Sequence, residues 1–70
     1  MLNCGQIKWI SPDASHGFIL LPDGQEAYFN AYDIIGGDIS TVSLGEQVSF
    51  DLLRTHKGFE AFNIQAFAFA

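Results

Sequence analysis

Two short alternating segments carry the side chains of this sequence best suited to recognition chemistry. His16 and Phe18 stand two apart in the first, and Tyr28 and Asn30 stand two apart in the second. Residues two apart in an extended chain share a face. Each segment therefore presents one polar or ring-bearing side: an imidazole with a phenyl, and a phenol with an amide. Gly17, Ile19, Ala27, Phe29 and Ala31 take the opposite side. Pro22-Asp23-Gly24 between the segments is a turn signature. Antiparallel pairing across that turn covers a core with the apolar underside and leaves a flat patch of rings above. Such a patch suits stacking on a planar ligand, with a few hydrogen bonds to orient it.

No other constellation has the spacing that catalysis or metal binding needs. His16 falls on a strand and His56 at a hairpin tip, and neither position sets an imidazole beside both a carboxylate and a nucleophile. Two histidines and one cysteine, Cys4, lack the spacing of a metal site. The acidic residues are scattered over turns and outward strand positions, as on a solvated surface. The chain is accordingly read as a binding protein without cofactor, and not as an enzyme.

The elements that must position the rings follow from alternation and from turn residues. Residues 5–10 (GQIKWI) form a first strand, closed by Ser11-Pro12-Asp13. Strict alternation groups Trp9 with Ile7 in the core, whereas a bulge near Lys8 and Trp9 brings both to the side of Phe18. The residues alone leave these two arrangements open. Gly17, with no side chain on the underside, permits strong curvature or close packing. Residues 32–44 have no sustained period and are rich in Gly, Asp, Ser and Thr, so they read as a long connection with one helical turn at 32–35. In the next strand, residues 47–54, Val48, Phe50 and Leu52 alternate with Gln47, Ser49 and Asp51. Residues 55–58 make a hairpin connection, and a fifth strand alternates Glu60, Phe62 and Ile64 with Phe59, Ala61 and Asn63. Five short strands, little helix and Gly-marked turns imply an all-β, five-stranded antiparallel barrel of the oligonucleotide-binding (OB) type.

Composition narrows the function. Seventy residues make one domain, 1–70, with a small core in which aromatic residues, 14% of the chain, carry much of the stability. One cysteine excludes an internal disulfide and fits a reduced, cytoplasmic setting. No apolar run approaches the roughly 20 residues of a membrane span, and no basic leader precedes the first strand. Three Lys plus Arg against eight Asp plus Glu give a net charge of -5. That balance removes the basic patch of an electrostatically driven nucleic-acid binder, so any such binding leans on stacking.

In order and at near-family spacing, GQIKW at 5–9, HGFI at 16–19, YFN at 28–30, LGEQVSF at 44–50 and KGFEAFNI at 57–64 resemble the cold-shock domain. The resemblance spans nearly the whole chain. It implies a barrel that binds single-stranded RNA or DNA on the surface of its first three strands, acting as an RNA chaperone or transcript-level regulator. It also implies that Lys8 and Trp9 lie on the binding face. The family's first ribonucleoprotein motif, typically Lys-Gly-Phe-Gly-Phe-Ile, stands here as Ala14-Ser15-His16-Gly17-Phe18-Ile19. The second, typically Val-Phe-Val-His-Phe, stands as Ala27-Tyr28-Phe29-Asn30-Ala31. Phe18 is kept and Tyr28 exchanges one ring for another. His16 is a smaller, titratable substitute, Asn30 replaces a His, and Ala31 and Ile10 lose rings. Lys57 matches a basic position of the last hairpin, and Phe59 adds a ring where the family often has Pro. The site is an eroded copy.

Stacking on an aromatic side chain is worth roughly 1–3 kcal/mol per base. Trp9, Phe18, Tyr28 and His16 together then contribute about 4–8 kcal/mol before several kcal/mol of ordering cost. The expectation is micromolar or weaker, pyrimidine-tolerant binding, with Lys8 and Lys57 meeting phosphate and Asn30 meeting a base edge. A second reading, a protein-interaction module or homodimer, rests on the acidic charge and on the C-terminal run QAFAFA, whose Phe67 and Phe69 are offered to a neighbour unless the barrel covers them.

Overall fold

Alternation is realised as five strands in the computed structural model, which describes residues 3–67: β1 (Asn3–Ile10), β2 (His16–Leu20), β3 (Glu26–Asn30), β4 (Gln47–Thr55) and β5 (Gly58–Ala66). They close into a barrel in the order β1-β2-β3-β5-β4. Every seam is antiparallel except β3 with β5, where Ala27 faces Phe59 and Tyr28 faces Glu60 in a parallel pair. A parallel seam is unavoidable in a closed ring of five, because strand directions cannot alternate around an odd number.

The interior is filled from inward-facing positions of all five strands. Ile7, Ile19, Ala27, Phe29, Val48, Phe50, Ala61 and Ile64 are buried, joined by Ile34 and Val42 from the β3–β4 connection. Phe29 and Phe50 are wholly enclosed, each contributing about 1.5–3 kcal/mol of burial. The connection contains two 3-10 turns rather than one. The first, Ala31–Asp33, starts a residue before the turn expected at 32–35, because Asn30 caps it: its Oδ1 accepts from the Tyr32 N–H at 3.0 Å, and the Asp33 carboxylate accepts from the Asn30 N–H at 2.9 Å. The second, Ile39–Thr41, is capped by Asp38, whose carboxylate accepts from the Ser40 N–H at 2.9 Å and from its hydroxyl at 2.7 Å. Both donors hold the Asp38 pKa below its ordinary value.

Strict alternation breaks in β4 and β5. In β5, Ser49 pairs with Gln65 and Asp51 with Phe62, so β5 spends three steps where β4 spends two. Asn63, at φ 53°, sits in this bulge. It turns Ile64 into the core beside Ala61, and not onto the face of Glu60 and Phe62. Ser49 is buried despite its outward parity, where it pairs with Cys4 of β1 and Gln65 of β5. The β4–β5 connection is also tighter than four residues, with Thr55 pairing Gly58 around His56 and Lys57. At the end of β5, the Phe67 N–H donates to the Gln47 carbonyl at 3.0 Å. Phe69 lies outside the described residues. Among the described residues no helix is long and apolar enough to cross a membrane.

Candidate nucleic-acid interface

A bulge in β1 decides where Trp9 goes. Ile7 pairs with Ile19, but the next pair is Trp9 with Phe18, so Lys8 is an extra residue on β1. Trp9 is therefore 42% exposed while Ile7, two residues before it, is 1% exposed. Of the two arrangements left open by the residues, the structure has the bulged one.

On the outer face four rings close a cycle. Trp9 and His16 have centroids 5.5 Å apart, and Trp9–Phe18, His16–Tyr28 and Phe18–Tyr28 each lie at 5.9 Å. These spacings fall within the range of favourable tilted and edge contacts, so the rings support one another while their outer faces stay open. Register explains the grouping: Phe18 faces Tyr28 and His16 faces Asn30 across β2 and β3.

The β1–β2 loop fixes His16. Asp13 Oδ1 accepts from the hydroxyls of Ser11 at 2.7 Å and Ser15 at 2.8 Å and from the Ser15 N–H at 3.2 Å. Donation from the Ser11 hydroxyl, then from Ser15, holds the Asp13 pKa down at about 2, against 3.8 ordinarily. The order that Asp13 lends the loop is fully present above 3.8 and lost as pH falls through about 2. An NMR titration of its carboxyl carbon is expected to show a midpoint near 2; an ordinary midpoint would refute this network. Because the Ser15 hydroxyl proton goes to Asp13, its oxygen is left to accept from His16 Nδ1, 2.8 Å away. The neutral imidazole then carries its proton on Nδ1 and presents Nε2 as an acceptor.

Lys8 forms a salt bridge with Glu26, so its ammonium is already partnered. Asn30 spends its Oδ1 on the cap, which leaves its amino group as the part able to meet a base edge. Lys57 lies at the β4–β5 turn and lines an open groove of about 460 Å³ with Phe18, Tyr28, Phe59 and Glu60. Phe59 stands apart from the ring cycle: it is half-buried, packs against the core, and has the Arg54 guanidinium 6.0 Å from its centroid. Sequence reading missed Glu26, Arg54 and the Asp13–Ser15 support of His16. The Asp13 and Ser15 pattern is a local turn signal, whereas the Glu26 pairing depends on cross-strand geometry. Among the described residues no group of three or more His, Cys, Asp or Glu is placed to hold a metal ion.

Comparison with known proteins agrees with this geometry. The family model described as "'Cold-shock' DNA-binding domain" matches residues 3–67. The chain is 28% identical over 60 residues to cold shock protein CspB of Bacillus caldolyticus, covering 86% of this chain and 91% of that protein. It is 33% identical over 63 residues to cold shock-like protein CspC of Shigella flexneri, covering 89% and 91% respectively. With cold shock-like protein CspD of Bacillus cereus the identity is 27% over 63 residues, covering 90% and 96%.

Proposed function

Because the chain belongs to the cold-shock DNA-binding domain family, whose members are nucleic-acid-binding and non-enzymatic, we propose that it binds single-stranded RNA or DNA by laying successive bases on Trp9, Phe18, His16 and Tyr28. The ring cycle carries this reading: four rings within 5.9 Å of their neighbours on one outward face, with Trp9 and Tyr28 open to solvent. Unstacked bases of any identity present π-faces to such a platform. Pyrimidines are accepted, and the cellular role is that of an RNA chaperone or transcript-level regulator.

Stacking and desolvation dominate over Coulomb attraction. The chain carries a net charge of -5 and the Lys8 ammonium is partnered by Glu26. With at most two phosphate contacts, from the cations other than Lys8, at a slope of about -0.7 each, affinity falls only about sevenfold between roughly 50 and 200 mM salt. Titrating oligo-dT and oligo-U against Trp9 fluorescence at several ionic strengths is expected to give saturable, micromolar binding with that shallow slope. Absence of saturation up to hundreds of micromolar would sink the proposal.

Glu26→Gln is expected to free Lys8 for phosphate, tightening binding a few-fold at low salt and steepening the salt slope by about 0.7. An unchanged slope would mean that Lys8 does not meet the backbone. His16→Ala gives a second handle: loss of the ring beside Trp9 and Tyr28 is expected to weaken binding about fivefold or more, and unchanged affinity would remove His16 from the interface.

A further inference from the structure

One row of directly facing residues crosses all five strands on the outside of the barrel. Trp9 pairs with Phe18, Phe18 with Tyr28, Tyr28 with Glu60, and Glu60 with Leu53. Facing residues share a side of the sheet, so the row presents indole, phenyl, phenol, carboxylate and isobutyl in succession. Leu53 at its end is 51% exposed. The platform therefore continues past β3 onto β5 and β4, and its one charged member is Glu60. Glu60 is exposed and lines the groove that Phe18, Tyr28, Lys57 and Phe59 also line, and its carboxylate has no hydrogen-bond or ion-pair partner among the described residues.

A lone carboxylate in line with a stacking platform repels phosphate, which favours a base edge over the backbone at this place. An ionised carboxylate only accepts hydrogen bonds. Cytosine, adenine and guanine carry an amino group on the pairing edge that can donate to it. Thymine and uracil offer a single ring N–H flanked by two carbonyl oxygens, which repel the second carboxylate oxygen. Acceptance of the cytosine amino group by Glu or Asp is an established mode of base readout. Lys57, on the same groove, is set to take the adjoining phosphate. We infer that Glu60 is a specificity residue that biases this site toward bases bearing an amino group on the pairing edge, an inference that rests on the single-strand binding proposed above.

Short oligo-dC and oligo-dT, titrated near pH 7.5 and followed by the fluorescence of Trp9, the one tryptophan of the chain, provide the test. Wild type is expected to bind oligo-dC about fivefold more tightly than oligo-dT. Glu60→Gln, whose amide both donates and accepts, and Glu60→Ala, which does neither, are each expected to bring that ratio close to one. Both variants alter an exposed side chain, and unchanged circular dichroism verifies their fold. A ratio that the substitutions leave unaltered, with both oligonucleotides still binding, overturns the role of Glu60 alone. Failure of wild type to bind either oligonucleotide overturns the stacking proposal and this inference together.

Discussion

Phe18→Ala is expected to weaken single-strand binding by about fivefold to 150-fold, from the roughly 1–3 kcal/mol that a stacked base contributes, while leaving the barrel folded. Phe18 is the ring where the platform is most dependent on one residue: it faces Tyr28 across β2 and β3, faces Trp9 across the β1 bulge, and lines the groove shared with Lys57 and Glu60. Its removal breaks the cycle between Trp9 and Tyr28, so the remaining rings lose a neighbour as well as a stacking surface. The fold is spared because Phe18 lies on the outer parity of β2, opposite to the buried Ile19. Phe29→Ala gives the contrast. That ring is 0% exposed, and its loss costs about 3–5 kcal/mol, a large share of the stability of so small a domain. Trp9 fluorescence titration and chemical denaturation of the two variants check both halves. Near-wild-type affinity in Phe18→Ala contradicts the assignment of the platform.

Gly17→Ala is expected to lower the melting temperature by about 10–20 °C. A methyl group there would collide with the backbone carbonyl oxygen of Trp9 and lie 2.7 Å from Cζ and 2.8 Å from Cε1 of Phe29. Neither obstacle can give way cheaply, since one is the main chain of the bulge and the other a ring enclosed by the core. Overpacking of this kind costs roughly 1–3 kcal/mol at a single contact, and about 4–8 °C accompanies each kcal/mol in a domain of this size. The same glycine thus links fold to function: its missing side chain lets the β1 bulge close down on β2, and the bulge turns Trp9 outward. Gly24→Ala is the control. Nothing lies within 4 Å of a side chain added at Gly24, and only its φ of +90° opposes the substitution, at about 1–2 kcal/mol. Thermal unfolding followed by circular dichroism measures both against the unsubstituted chain; an unchanged melting temperature in Gly17→Ala would show that the tight approach at Gly17 is not structural.

The ring patch was legible because alternation in β2 and β3 is unbroken and a turn signature joins them. The five-strand OB barrel followed from the same alternation and is the architecture found. Bulges were the weak point. The one at Lys8 could be stated only as an alternative, and the one at Asn63 was not visible at all, since Phe62 and Ile64 continue an apolar alternation that hides the three-residue step from Ala61 to Ile64. Electrostatics at the site was less legible still. Lys8 reads as a phosphate contact until Glu26, 18 residues away, is found bonded to it. Glu60 reads as a solvated strand residue until the parallel β3–β5 seam sets it opposite Tyr28. Such pairings depend on strand order, which no local pattern encodes.

Backbone and side-chain NMR shifts, followed while a short oligopyrimidine is added, test most directly the claim that unpaired bases stack on this face. The expected result is a contiguous set of perturbed resonances covering Trp9, His16, Phe18 and Tyr28 and extending to Lys57 and Glu60, with Ile35 and Leu44 of the β3–β4 connection unmoved. Perturbations centred on that connection, with the four rings unaffected, would contradict it.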